Sequence, residues 1–144
     1  SPDAAAADLT TTARRYMTTW RKPRVLLVGF SFGANALPLI IPRLPPDLRA
    51  RLRGVALISP GRSGELQFHL GSWLDHTSPN AVPIAPLLSQ MHGAPALCIY
   101  GEQDAGNACN AFGPRLVRPL PIPGGHHLGG DFDALAQAIL RADA

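Results

Sequence analysis

The spacing of apolar residues changes from segment to segment and predicts which segments are helices and which are strands. Within residues 8–20 the apolar positions recur every three to four residues, a spacing that predicts an amphipathic helix. The continuous apolar run at residues 24–29 is typical of a strand that is buried on both faces of a parallel sheet. Residues 32–41 are apolar on all sides, which predicts a buried helix that Pro38 bends or shortens.

Three further segments have the pattern of strands. Residues 55–58 and 96–100 are short apolar runs, and residues 116–122 predict a fourth strand. Pro119 and Pro121 place that fourth strand at an edge of the sheet, because proline cannot donate a hydrogen bond to a neighbouring strand. Strands that alternate with helices indicate an α/β fold, with a mainly parallel sheet and helices on both faces.

A final helix and an irregular middle segment complete the chain. Asp131 is placed to cap the helix, and apolar residues within 132–140 keep helical spacing. Residues 60–93 are rich in Gly, Ser, Pro and His, and contain a strand candidate at 67–74 and a helix candidate at 82–91. We interpret residues 60–93 as a cap-like insertion that borders the functional site, inside one domain that comprises residues 1–144.

Composition supports one folded domain and narrows the possible partners. The 144 residues are 46% hydrophobic and 16% charged, which excludes a disordered tail and a coiled coil. No apolar run reaches the roughly 20 residues of a membrane-spanning helix. The net charge is +3, and every basic residue except Lys22 is an arginine, but these residues form no dense block. We therefore expect no nucleic-acid partner.

Residues 29–33 read Gly-Phe-Ser-Phe-Gly, the G-x-S-x-G pattern of a nucleophile elbow. The pattern lies between a predicted buried strand and a predicted apolar helix, which is the setting that such an elbow requires. We expect both glycines to be needed because strand and helix backbones approach closely at this turn. Ser31 is the predicted nucleophile; the alternative is that Ser31 only caps the turn.

A nucleophilic serine needs a base and an orienting acid, in the chain order Ser, Asp or Glu, His for this fold. Asp104 follows the third predicted strand and His126 follows the fourth, so both lie where this order places them. Glu102 is the alternative acid and His127 the alternative base.

The spacing of the histidine and aspartate residues in this region argues against a metal site. His126, His127 and Asp131 resemble a set of ligands, but adjacent histidines point apart on a loop, and no H-x-x-x-H or C-x-x-C pattern accompanies them. We expect no metal and no cofactor.

These motifs together resemble the VirJ/AcvB group of bacterial virulence-associated proteins, a branch of the α/β-hydrolases. The resemblance covers almost the whole chain. It rests on residues 29–34 and 98–102, on Cys109, on residues 123–127 with Gly130 and Asp131, and on residues 43–45.

The resemblance implies a periplasmic serine hydrolase that cleaves the aminoacyl ester of aminoacylated phosphatidylglycerol, typically lysyl-phosphatidylglycerol. Carried over by position, Ser31 is the nucleophile, Asp104 the acid and His126 the base. The implied partners are an anionic aminoacylated phospholipid at a membrane surface and components of type IV secretion.

The chain departs from this family pattern at its start. The sequence begins at Ser1, and we expect any targeting peptide to lie upstream or to have been removed. We also expect the chain to be part of a longer protein that carries further strands and a glycine-rich loop upstream. That loop supplies one of two oxyanion donors in such hydrolases, so the backbone N–H of Phe32 is the only donor expected here. Losing one donor costs on the order of a hundredfold in rate, and we expect the isolated chain to be weakly active or inactive.

Cys98 and Cys109 bracket the loop that carries Asp104. In a reducing compartment both would be free and buried, whereas in an oxidising one they would pair. The resemblance to periplasmic proteins favours the disulfide.

Two other functions compete with the lipid hydrolase. One is a carboxylesterase or thioesterase that acts on a soluble acyl substrate, because fold alone does not separate the two. The other is a non-catalytic binding module for substrates of type IV secretion, with the 60–93 segment as its binding surface.

Overall fold

A computed structural model describes residues 1–64, 81–91 and 96–142. In chain order the described strands are β1 (Val25–Phe30), β2 (Leu52–Ile58), β3 (Ser63–Gly64), β4 (Val82–Pro83), β5 (Ala96–Gly101) and β6 (Val117–Ile122). Four of them form the central parallel sheet, in the spatial order β1-β2-β5-β6. A separate antiparallel pair is formed by β3 and β4.

Five α-helices lie before, between or after these strands in the described part of the chain. They are α1 (Pro2–Thr19), α2 (Phe32–Ile40), α3 (Pro46–Arg49), α4 (Ile84–Ser89) and α5 (Phe132–Ala142). Pro38 lies inside α2, which ends at Ile40 and continues as one 3₁₀ turn at Ile41–Arg43. No helix in the described ranges is both long enough and apolar enough to cross a membrane.

The sheet has a hydrophobic layer on each face. Leu57 and Cys98 point toward the layer that α1, α2 and α4 complete. Ile58 and Ile99, from the same two strands, point toward the opposite layer, where Ile139 of α5 packs. Successive residues of a strand face opposite sides of the sheet, so these apolar runs need cover on both faces. The predicted α/β architecture is confirmed.

The first strand is less buried than its sequence predicts. Val28 and Phe30 are 48% and 43% exposed, although Leu27 on the other face of β1 is buried. The physical reason is position: among the described strands β1 pairs only with β2, and it forms an edge of the sheet. On the face of Val28 and Phe30, Leu26 still packs against the second hydrophobic layer, so the prediction that β1 is buried on both faces is correct for one face and only partly correct for the other.

The last helix keeps its predicted position, whereas the first begins at Pro2 and not near residue 8, and both bury fewer apolar residues than expected. Asp131 caps α5, since its Oδ1 accepts from the backbone N–H of Ala134 at 3.0 Å. Ile139 is buried, whereas Phe132 and Leu140 are 67% and 66% exposed. At the end of α1, Tyr16 and Trp20 are also exposed and pack on each other with ring centroids 4.6 Å apart.

Only the margins of the predicted 60–93 insertion are described. The helix candidate at 82–91 is shorter than predicted, because Val82 and Pro83 pair with Ser63 and Gly64 before α4 begins. The strand candidate at 67–74 lies outside the described residues.

Candidate active site

The carboxyl ends of the four parallel strands lie at one edge of the sheet and bring the predicted residues together. In the pairing, Phe30 lies opposite Ile58, Ile58 opposite Ile99, and Gly101 opposite Ile122. Ser31 follows β1 directly, Asp104 lies in the loop after β5, and His126 lies in the loop after β6. Distant parts of the chain thus meet because their strands end side by side.

Ser31 occupies a strained turn between β1 and α2. Its φ is 50° and its ψ is −110°, a conformation that non-glycine residues rarely adopt. The backbone N–H of Ser31 donates to the carbonyl of Ile58 at 2.8 Å, which fixes the turn to β2. Such a sharp strand-to-helix turn projects the side chain out of the sheet edge, as a nucleophile elbow does.

The two glycines of the G-x-S-x-G pattern have different roles in this turn. A Cβ added at Gly29 would lie 2.5 Å from the carbonyl oxygen of Gly33 and 2.8 Å from the nitrogen of Ala34. A Cβ added at Gly33 would meet nothing within 4 Å. The expectation that close packing requires both glycines is therefore correct for Gly29 and wrong for Gly33.

A chain of two hydrogen bonds joins three side chains. Nε2 of His126 lies 3.0 Å from Oγ of Ser31, and Nδ1 of His126 lies 2.9 Å from Oδ2 of Asp104. The Asp104 side chain is 8% exposed and that of His126 is 43% exposed. In the tautomer with the proton on Nδ1, the imidazole donates to the carboxylate and its Nε2 is free to accept the serine proton.

The loop that carries Asp104 is held from several directions. Oδ1 of Asp104 accepts from the backbone N–H of Gly106 at 3.1 Å, which leaves Oδ2 directed at His126. Asn107 donates through Nδ2 to the carbonyl of Asp104 at 2.6 Å. Cys98 and Cys109 form a disulfide with their Cα atoms 5.6 Å apart, and this bond ties the loop to β5.

The loop that carries His126 packs against the end of β5 through glycines. A Cβ at Gly101 would overlap the carbonyl oxygens of Gly124 and Gly125, so glycine is required for this close approach. Gly124 has a φ of +115° and its carbonyl accepts from the N–H of Gln103 at 3.0 Å. The base loop and the acid loop are therefore in direct backbone contact.

The alternative residues lie at the same edge but outside the hydrogen-bonded chain. His127 is exposed, and its ring lies 5.4 Å from that of His126 and 5.8 Å from that of Phe30. Glu102 is exposed, and its backbone N–H donates to Ile122 at 2.9 Å. The geometry favours His126 and Asp104 over both.

No cluster of His, Cys, Asp and Glu in the described ranges has the arrangement of a metal site. The side chain of Asp131, which the sequence offered as a third ligand beside the two histidines, caps α5 instead.

Phe32, the predicted oxyanion donor, is the first residue of α2. Its backbone N–H lies at the N-terminal end of the helix, where the peptide dipoles favour negative charge. An oxyanion formed at Ser31 would lie near this end of the helix, and the donor role of Phe32 stays a prediction.

Sequence reasoning missed one polar residue that touches the site. Ser59 is 2% exposed, and its Oγ donates to the backbone carbonyl of His126 at 3.0 Å. The available signal was its place: a small polar residue directly after a buried strand, at the edge of the sheet where Ser31 lies.

Comparison with known proteins now gives the family. The family model described as bacterial virulence protein VirJ matches residues 1–143. The chain belongs to the VirJ family. No curated protein matches this VirJ-family chain in sequence.

Solved structures similar to this VirJ-family chain are α/β-hydrolases. The Pyrococcus furiosus esterase Pf2001 is 14% identical, with a TM-score of 0.61 over 94% of this chain and 59% of the esterase. Atu2452, a protein of unknown function from Agrobacterium tumefaciens, is 20% identical, with a TM-score of 0.53 over 99% of this chain and 63% of that one. Naproxen esterase from Bacillus subtilis is 16% identical, with a TM-score of 0.54 over 85% of this chain and 60% of the esterase. At these identities the likeness establishes the α/β-hydrolase fold, and the chain spans about three fifths of each neighbour.

Proposed function

We propose that this chain carries the catalytic triad of a serine hydrolase that cleaves carboxylic esters. The single observation that carries the proposal is the hydrogen-bonded series of Ser31, His126 and Asp104 at one edge of the sheet. Three residues in the correct chain order, with a strained serine at the first position, are a stronger sign than the G-x-S-x-G pattern alone. Similarity to structures described as esterases agrees with this reaction.

The arrangement supports a two-step acyl transfer. Ser31 Oγ attacks the ester carbonyl carbon while His126 Nε2 takes the hydroxyl proton, and Asp104 stabilises the imidazolium that forms. His126 returns the proton to the leaving alkoxide as the ester C–O bond breaks. Water then attacks the acyl-serine, His126 accepts a proton from that water, and the acid is released as the proton returns to Ser31.

The proposed substrate is the aminoacyl ester of aminoacylated phosphatidylglycerol, with lysyl as the typical aminoacyl group. Membership of the VirJ family supports this substrate. The exposed carboxylate of Glu102 directly follows the carboxyl end of β5, at the edge of the sheet where Ser31 lies. Negative charge there suits a substrate that carries ammonium groups. Phe30 and Phe32 flank Ser31 with exposed rings that suit the apolar part of a lipid.

The proposed compartment is the periplasm, and the proposed partners are this phospholipid at the membrane surface and type IV secretion components. The Cys98–Cys109 disulfide supports an oxidising compartment. Family membership is compatible with an exported protein.

The test is hydrolysis by the longer protein that is expected to contain this chain, and by its Ser31→Ala variant, on vesicles that contain lysyl-phosphatidylglycerol and on soluble acyl esters and thioesters. Release of lysine from the vesicles, lost in Ser31→Ala, is the expected result. Hydrolysis of the soluble esters or thioesters alone would indicate a generic carboxylesterase or thioesterase and would exclude the lipid as substrate. Vesicle binding without any hydrolysis, equal in both proteins, would instead indicate a binding module.

A further inference from the structure

The turn that follows β2 contacts every element of the proposed triad. The last residue of β2 and the three residues after it are hydrogen-bonded to different neighbours, and Ser59 also donates its backbone N–H to the carbonyl of Ile99 at 2.8 Å. The carbonyl of Ile58 accepts from the N–H of Ser31 at 2.8 Å, and Oγ of Ser59 donates to the carbonyl of His126 at 3.0 Å. The carbonyl of Pro60 accepts from the N–H of Ala108 at 2.8 Å. The fourth residue, Gly61, is hydrogen-bonded to the helix that follows the nucleophile.

Gly61 connects this turn to α2. Its backbone N–H donates to Oδ1 of Asn35 at 2.8 Å. The N–H of Asn35 in turn donates to the carbonyl of Ser31 at 3.1 Å, in the first turn of the helix. Residues 58–61 therefore hold the nucleophile turn at two points, at the backbone of Ser31 and at the side chain of Asn35.

The contact with Ala108 reaches the acid loop at a rigid point. Ala108 is buried, it precedes Cys109 of the disulfide, and it follows Asn107, which donates to the carbonyl of Asp104. A displacement of Pro60 would therefore be transmitted to Asp104 through a short, cross-linked stretch of backbone.

Ser59 has a strained backbone conformation that glycine would adopt more easily. Its φ is +49°, in the left-handed region that favours glycine, and it is 2% exposed. Strain of this kind persists only where the surroundings hold the residue in place, and it occurs often at functional sites. Glycine would adopt this backbone without strain but would lack the hydroxyl that reaches His126.

We infer that Ser59 is a positioning residue for the general base, and that residues 58–61 hold nucleophile, acid and base in one frame. Its hydroxyl fixes the backbone of His126, and through it the distances from Nε2 to Ser31 and from Nδ1 to Asp104. The inference rests on the proposed function, because it assigns Ser59 a role in activating Ser31. A displacement of about 1 Å at a reacting group costs on the order of a hundredfold in rate, so a single hydrogen bond at this place is enough to matter.

The test compares Ser59→Ala and Ser59→Gly in the full chain, because both variants lack the hydroxyl but only glycine relieves the positive φ. The readouts are the melting temperature and the reaction of Ser31 with a fluorophosphonate probe, separated into maximal rate and half-saturating concentration. We expect the maximal rate to fall about 10- to 100-fold in both variants, with the half-saturating concentration unchanged. Ser59→Gly should melt at a higher temperature than Ser59→Ala.

The matched control is Thr11→Ala, which removes a hydroxyl that donates to the carbonyl of Ala7 at 3.0 Å on the exposed side of α1. It should leave labelling unchanged. If the labelling rates of the two Ser59 variants follow their melting temperatures, or if Ser59→Gly reacts like the wild type, Ser59 is only structural and the inference is overturned. If the wild type itself is not labelled, the proposed function fails first, which separates the two outcomes.

Discussion

The two strands that flank β2 have opposite surroundings. On one side, residues 96–99 of β5 are buried, β5 is joined to the acid loop by a disulfide, and its last residue presses against the base loop. On the other side, β1 forms an edge of the described sheet and leaves Val28 and Phe30 exposed. Acid and base are thus held by long-range contacts, whereas the nucleophile depends on its own turn and on β2.

Because of this difference, the three triad residues are oriented in different ways. Ser31 is oriented by the turn itself, with a φ of 50° and the close contact of Gly29 with the start of α2. Asp104 is oriented by its own loop, which the disulfide ties to β5, whereas the backbone of His126 is held by Ser59, which is distant in sequence. The exposed side of β1 is also the side on which the usual second oxyanion donor of an α/β-hydrolase is expected. Substitutions on the two sides should therefore fail in different ways.

The largest effect is expected at the residue that joins the two sides. His126→Ala should lower ester hydrolysis or probe labelling about 10²- to 10⁴-fold, because the proton of Ser31 then has no acceptor. The melting temperature should change little, since the side chain is 43% exposed. His127→Ala is the matched control and should retain most activity. Near-normal activity of His126→Ala with an inactive His127→Ala would assign the base to His127.

Loss of the disulfide should be the largest change in stability on the β5 side. In the chain-entropy model, a loop of this length stabilises by about 3 kcal/mol, chiefly by restricting the unfolded chain. Cys98→Ala/Cys109→Ala and chemical reduction should both lower the free energy of unfolding, measured in denaturant. Labelling of Ser31 should also slow, because the bond fixes the loop that carries Asp104. Two free thiols in unreduced, denatured protein from the periplasm would contradict the pairing.

The nucleophile side is tested by its two glycines. Gly29→Ala places a Cβ against the backbone of Gly33 and Ala34 and should cost about 1–3 kcal/mol of stability, with a loss of labelling. Gly33→Ala enters open space within a helix and should be neutral or stabilise by up to about 1 kcal/mol. Calorimetry measures the stability of the two variants. Equal destabilisation by both would show that the turn is not held by the contact at Gly29.

The smallest effect is expected far from both regions, at the exposed Arg14–Asp47 ion pair, where the two side chains lie 2.9 Å apart. The Arg14 guanidinium lowers the pKa of Asp47 below its ordinary value, so the pair stabilises the fold at neutral pH and this contribution is lost as the pH falls through the lowered pKa. Because the pair is exposed, Asp47→Asn should hardly change the melting temperature at pH 7. A large drop at pH 7 would contradict this account of the pair.

The sequence predicted the elements whose pattern is local. The buried runs of β1, β2 and β5 and the cap of α5 at Asp131 follow from apolar spacing and from turn chemistry. The first and last residues of the strands were less predictable. For example, β2 begins at Leu52, before the apolar run at residues 55–58, because pairing with β1 extends the strand through Arg53 and Gly54.

The parts that the sequence did not predict depend on contacts between distant residues. The exposure of Val28 depends on the position of β1 at the edge of the described sheet, and the spacing of apolar residues in the sequence does not indicate that position. The choice between His126 and His127 is decided by the path of one loop relative to Ser31, although both residues fit the motif. The role of Ser59 depends on a residue 67 positions away in the chain, and no local pattern indicates it.

The most direct test of the central claim is the reaction of the chain with a fluorophosphonate probe, followed by intact mass and by mapping of the modified peptide. Ser31, His126 and Asp104 lie in this one chain, so labelling is expected even if a missing oxyanion donor slows it about a hundredfold. We expect one adduct, on Ser31, that is absent in Ser31→Ala and much slower to form in Asp104→Asn. An unmodified wild type after long incubation, or an adduct that persists in Ser31→Ala, would contradict it.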